Sequence, residues 1–81
     1  MPVVFRLKGF TFFFYSNEGD PREPVHVHVR IGTYTAKFWL VPDIILANNY
    51  GIKAKEISWL REVITNRKDF IITCWDEYFE P

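Results

Sequence analysis

Apolar and polar residues alternate with a period of two through much of the first half of the chain, which is typical of β-strands. The segment VVFRLKGFTFFFY, residues 3–15, predicts one hairpin, and VHVHVRIGTYTAKFWL, residues 25–40, predicts a second. Each contains a two-residue turn, Lys8-Gly9 in the first and Gly32-Thr33 in the second. The first turn predicts three opposed pairs: Leu7 with Phe10, Phe5 with Phe12, and Val3 with Phe14.

Pairing the second hairpin through its turn sorts its residues into two faces. One face is apolar and forms the predicted core: Val25, Val27, Val29, Ile31, Tyr34, Ala36, Phe38 and Leu40. On the other face, His28 is predicted beside Lys37 and His26 beside Trp39, because directly opposed residues are close neighbours. Since valine already fills the core face, we predict both histidines on the solvent side.

Helical periodicity replaces alternation in the second half of the chain. Ile57, Leu60, Val63 and Ile64 form an apolar stripe, and Asn66 is a suitable N-cap for a second helix. Between the halves, DIILANNYG has short strand or turn character. We therefore predict one α+β domain over residues 1–81, with a strand half at 3–40 and a helical half at 52–79. Its antiparallel sheet of about four strands, made of two hairpins, precedes two C-terminal helices packed on one face.

Composition narrows the classes of function. Ten basic and ten acidic residues give zero formal net charge, so no global field steers the protein towards nucleic acid or membrane. The single cysteine, Cys74, excludes an intramolecular disulfide and a cysteine-rich zinc site. No signal peptide and no run of about 20 apolar residues is present, so we expect a soluble, cytoplasmic protein with no membrane association.

The two histidines are candidate metal ligands, because His-x-His on a strand points both imidazoles the same way. The remaining ligands would come from Glu18, Asp20 or Glu23 in the loop SNEGDPREP. However, the chain has no third histidine, and Arg30 and Lys37 beside the pair would repel a cation. We therefore predict no metal cofactor; if a metal binds, His26 and His28 are its ligands.

The same face suits metal-independent RNA cleavage. His26 and His28 are candidate catalytic residues, since histidine transfers protons near neutral pH. Basic groups for the phosphate and aromatic rings for a base are also available on this face: Arg30, Lys37, Arg6, Trp39, Phe13 and Tyr15. A binding role without catalysis is the interpretation that we favour for this face, because aromatic residues with arginine are the usual anchors of interfaces. The predicted binding residues are Arg30, Lys37, Trp39, Glu18, Arg6 and Tyr15.

Five segments in order, FFFYSNEG, EPVHVHVR, AKFWL, LANNYG and CWDEYF, resemble the bacterial family known as domain of unknown function 4160. The resemblance implies a short protein without established activity, often encoded beside another small protein as toxin–antitoxin pairs are. On this basis we predict an interaction module of a toxin–antitoxin-like pair. An RNA-cleaving toxin and a histidine-based metal site are the alternatives, and the expected partner is a small protein encoded nearby, with a homodimer or RNA left open.

Overall fold

The computed structural model describes residues 2–18 and 22–79 of the chain. They form five strands, one short 3₁₀ turn and two helices. In chain order these are β1 (Val3–Leu7), β2 (Phe10–Phe13), the 3₁₀ turn (Ser16–Glu18), β3 (His26–Ile31), β4 (Tyr34–Trp39), β5 (Ile45–Tyr50), α1 (Ala54–Asn66) and α2 (Lys68–Phe79). The predicted α+β class is confirmed.

The five strands form one antiparallel sheet in which each strand pairs with the next along the chain. The first turn is tight because Lys8 and Gly9 both adopt positive φ, at 49° and 83°. Two predicted pairs of the first hairpin are confirmed, but Val3 lies opposite Phe13 rather than Phe14, because the register shifts between Val3 and Phe5.

The register of the second hairpin is as predicted. His26 lies opposite Trp39 and His28 opposite Lys37. This confirms that the alternation of valine and histidine was assigned to the correct faces.

The sheet has a fifth strand, so the predicted strand half extends beyond residue 40 to Tyr50. Asparagine is uncommon in strands, and Asn48 and Asn49 obscured this one in the sequence. Hydrogen bonding to β4 outweighs that weak local preference. The register of the β4–β5 pair shifts between Lys37 and Phe38.

One face of the sheet packs against both helices and forms the core. Val27, Val29 and Phe38 from the strands and Leu60 and Ile64 from α1 are fully buried there. The helix stripe predicted from the sequence is therefore the stripe that covers the sheet. Neither described helix is long and apolar enough to cross a membrane.

The boundary between the helices differs from the prediction. Asn66 is the last residue of α1 and not the N-cap of α2. Arg67 separates the helices, and its backbone N–H donates to the carbonyl oxygens of Val63 and Ile64. The first helix thus continues through Asn66 and is closed by the Arg67 backbone N–H, so Asn66 does not cap the second helix.

The second face of the sheet, which we call the open face, lies opposite the face that packs against the helices. Alternation and register place these strand residues on it: Arg6, Thr11, Phe13, His28, Arg30, Thr35, Lys37, Trp39, Ile45, Asn48 and Tyr50. The 3₁₀ turn approaches one end of this face, where Glu18 contacts His28.

Candidate functional site

Three side chains converge at one end of the open face. Oε2 of Glu18 lies 2.6 Å from Nε2 of His26 and 2.6 Å from Nε2 of His28. The ligand-type atoms of the three residues all lie within 4.8 Å of one another. We call this group the Glu–His–His cluster.

Local backbone structure holds Glu18 in the cluster. The backbone N–H of Tyr15 donates to Oε1 of Glu18 at 3.0 Å, and the Glu18 N–H donates back to the Tyr15 carbonyl at 3.2 Å. The N–H of Glu23 donates to the Glu18 carbonyl at 3.2 Å, which ties the far side of the loop to the same residue. These hydrogen bonds hold the Glu18 carboxylate in place, so it does not rotate freely as a carboxylate on an exposed surface side chain would.

The solvent-side prediction is wrong for His26, whose exposed fraction is 0%. Its ring centroid lies 5.2 Å from that of Trp39 and 4.9 Å from that of Trp75 in α2. Because His26 is the first residue of β3, it stands at the end of the sheet, where α2 reaches it. Alternation along a strand cannot reveal a cover supplied by a distant helix.

The other ring nitrogen of His26 determines its tautomer. Nδ1 lies 2.9 Å from the carbonyl oxygen of Pro24. A carbonyl oxygen only accepts, so Nδ1 carries the proton and donates. Nε2 of the neutral ring is then an unprotonated nitrogen, and among the described residues it has no hydrogen-bond partner, although the Glu18 oxygen is so close.

His28 is more accessible than His26, with 13% of its side chain exposed. Its ring packs against Phe13 and Tyr15, with centroids 5.5 and 4.5 Å away. The pKa of His28 lies below its ordinary value, and burial is the largest cause. The Glu18 carboxylate raises this pKa, whereas the nearby His26 and Lys37 lower it further. His28 therefore favours its neutral form, in which Nε2–H donates to Glu18.

Glu18 favours its ionised form. Burial by itself would raise the pKa of Glu18, but the contacts with His28 and His26 and the hydrogen bond from Tyr15 outweigh it and hold this pKa below its ordinary value. The cluster thus combines a carboxylate with two imidazoles, which is a donor set that divalent transition metals accept.

The predicted binding residues occupy the open face at different distances from the cluster. Lys37 is nearest, with its Nζ 3.7 Å from a Glu23 carboxylate oxygen and 4.1 Å from the centroid of the Trp39 ring. The guanidinium of Arg30 lies over the Phe13 ring at 5.4 Å. Arg6 lies farther away on the edge strand β1 and does not join the cluster.

The described loop carboxylates considered as further ligands differ in which histidine nitrogens they approach. Glu23 lies 4.0 Å from Nδ1 of His26, which is the nitrogen already bonded to Pro24 and not the one that faces Glu18. Asp20 lies outside the described residues. Of the two described carboxylates, Glu18 is the one that lies close to Nε2 of both histidines.

Two members of the site had no signal in the sequence. The Pro24 carbonyl is a backbone group, and Trp75 belongs to the second helix, far from the histidines in the sequence. Trp75 has both roles, since it is buried among Phe14 and Phe79 and also covers His26.

A comparison with protein-family models places these residues in a known family. The model described as domain of unknown function (DUF4160) matches residues 9–76, which is most of the chain. The chain belongs to the DUF4160 family. The match spans every residue of the Glu–His–His cluster of this DUF4160 protein, together with Pro24 and Trp75. No curated protein matches the chain, and no solved structure does.

Proposed function

We propose that this DUF4160 protein binds one divalent transition-metal ion through the Glu–His–His cluster, with Glu18 Oε2, His26 Nε2 and His28 Nε2 as ligands. For this, the proton of the neutral His28 ring moves from Nε2 to Nδ1, because only an unprotonated nitrogen binds a metal. The observation that carries the proposal is the buried Nε2 of His26, which has no hydrogen-bond partner among the described residues and yet lies 2.6 Å from a carboxylate oxygen.

Electrostatics explains why a cation suits this contact. With the proton of His26 on Nδ1, the Nε2 lone pair and the Glu18 oxygen are both electron-rich, and in a buried site they repel. A proton between them would remove the repulsion, but the contact lacks the geometry of a hydrogen bond. A metal ion bound by both atoms would remove the repulsion, and the Glu18 oxygen would not need to lie in the direction that a hydrogen bond from Nε2 requires.

The surroundings of His26 match those of a metal ligand. Ligating histidines generally donate their second ring N–H to a carbonyl or carboxylate, which orients the ring, and Pro24 supplies such a carbonyl. Ligand atoms around tetrahedral zinc stand about 3.3 Å apart, given bonds of about 2.0–2.1 Å, so the Glu18 carboxylate would shift by about 0.7 Å on binding.

The charge of Lys37, which we expected to oppose a cation, has its own partners in Glu23 and the Trp39 ring. Three protein ligands leave at least one coordination position for water or substrate, as in catalytic rather than structural zinc sites. A metal in such a site activates a bound water molecule or polarises a carbonyl or phosphoryl oxygen.

The alternatives from the sequence have less support from the geometry. Metal-independent RNA cleavage by both histidines needs two side chains that reach the substrate, whereas His26 is fully buried. The role as an interaction module of a toxin–antitoxin-like pair, with a small partner protein or a homodimer, stays a prediction.

The test is calorimetric titration of zinc into protein prepared without an affinity tag and stripped with EDTA. We expect one equivalent to bind to the wild type and at least roughly tenfold weaker binding to Glu18→Gln, because an amide is a poor ligand for zinc. The substituted glutamine keeps the size of the side chain; its amide N–H can donate to Nε2 of His26 and its oxygen can accept from the Tyr15 N–H, so the fold should be retained.

Glu23→Gln is the matched control, since it removes a neighbouring carboxylate that faces the wrong nitrogen of His26. It should bind zinc like the wild type. Absence of stoichiometric binding to the wild type would refute the proposal, and so would equal losses in the two variants.

A further inference from the structure

The open face concentrates positive charge although the chain as a whole is neutral. The five described strands contain no aspartate or glutamate, and all their arginines and lysines lie on this face: Arg6, Arg30 and Lys37. Helical acids such as Glu62, Asp69 and Asp76 belong to elements that pack on the opposite side of the sheet. The carboxylates of Glu18 and Glu23 lie at the end of the face that carries the Glu–His–His cluster, where Glu23 pairs with Lys37. The positive field that suits a polyanion is therefore strongest away from that end, around Arg6 and Arg30.

Aromatic rings stand among these charges. Tyr50 is 66% exposed and Tyr15 is 43% exposed. Trp39 is half-buried, with Lys37 over its ring. Exposed rings next to basic side chains form the stacking surface on which proteins bind the bases of single strands.

The register arranges part of this surface in one row across all five strands. The row consists of Arg6, Thr11, Arg30, Thr35 and Tyr50. Neighbouring strands are about 4.8 Å apart, so Arg30 and Tyr50 are separated by about 10 Å. Threonine hydroxyls alternate with the arginines, and a hydroxyl both donates to and accepts from a ribose 2′-hydroxyl.

We propose that the open face binds single-stranded RNA. Arg6, Arg30 and Lys37 contact phosphates, while Tyr50 and Trp39 stack on bases. Stacking and phosphate contacts tolerate many sequences, so the binding has little base preference. The proposal does not depend on a metal ion in the Glu–His–His cluster.

Fluorescence anisotropy of a labelled 12-nucleotide oligouridine, measured in low salt with EDTA, tests this proposal. Tyr50→Ser should weaken binding roughly tenfold, since each stacked base contributes on that scale. Lys37→Gln should weaken binding and reduce the slope of log K against log salt by roughly 0.7, the value for one phosphate contact on a single strand.

Two control variants carry the same chemical changes on the helices. Lys55→Gln removes a charge from the first turn of α1, near Lys53, and Tyr78→Ser removes an exposed ring from α2. Both should bind within about twofold of the wild type. Glu23→Gln, which releases Lys37 from a surface ion pair, should tighten binding roughly twofold.

Several results would overturn the proposal, provided that circular dichroism shows each variant folded. They are absence of saturable binding, equal losses in the open-face and helix variants, and equal affinity for the matching DNA oligomer. Equally effective competition by polyglutamate would also overturn it, since the face would then be a site for acidic protein. Because the RNA assay contains EDTA, its outcome does not depend on a metal ion in the Glu–His–His cluster, which separates it from the outcome of the metal proposal.

Discussion

His26→Ala offers the sharpest test of how the site is built, because burial predicts a large loss of stability where surface placement predicts none. The imidazole is fully buried between Trp39 and Trp75. Truncating a buried side chain of this size costs about 2–4 kcal/mol in free energy of unfolding. Loss of the donor to the Pro24 carbonyl adds about 1 kcal/mol.

That loss is large for a domain of this size. At about 0.05–0.15 kcal/mol per residue, an 81-residue domain has about 4–12 kcal/mol of stability in total. Each 1 kcal/mol shifts the Tm of such a domain by about 4–8 °C, so His26→Ala should lower the Tm by at least about 12 °C.

The assay is urea denaturation followed by tryptophan fluorescence, with EDTA present so that metal binding does not contribute. His28→Ala is the comparison, because its ring is partly exposed and water can fill the space, and it should lose only about 1–2 kcal/mol. If the His26→Ala midpoint moved no further than that of His28→Ala, the placement of His26 against α2 would be incorrect.

Two further predictions concern the core and the cluster. Val27→Asp should leave the chain largely unfolded by circular dichroism, since Val27 is fully buried and an unpaired buried carboxylate costs several kcal/mol. The control, Tyr50→Asp on the open face, should stay folded. A cooperative thermal melt for Val27→Asp would contradict the register. In metal-free protein the free energy of unfolding should decrease as the pH falls from 7.5 to 4, because the folded-state pKa values of His28 and Glu18 are both lowered. The unfolded chain then binds protons that the folded state resists, below about pH 6.5 at His28 and below about pH 4.5 at Glu18. Urea denaturation midpoints at pH 7.5, 5.5 and 4 measure this dependence. His28→Gln should reduce the change in midpoint between pH 7.5 and 5.5. A wild-type midpoint that does not depend on pH would show that neither group is coupled to folding.

Much of the sheet could be predicted because its pattern is local. Alternation through two short turns was sufficient to pair His28 with Lys37 and His26 with Trp39. The fifth strand could not be predicted with the same ease, because asparagines at the positions paired with β4 carry no apolar signal. Asn66 was predicted as the N-cap of α2 but is the last residue of α1, because local suitability for capping does not fix where one helix ends and the next begins.

The candidate site, like the fold, was predictable from the sequence only in part. The sequence by itself determined that His26 and His28 share one side of a strand and that a carboxylate-bearing loop precedes them. Only the tertiary structure decided that Glu18 contacts both imidazoles, that Pro24 sets the tautomer of His26, and that Trp75 buries it. The physical reason is that side-chain direction follows from the local period of the backbone, whereas burial and convergence depend on where a loop folds back and where a later helix packs.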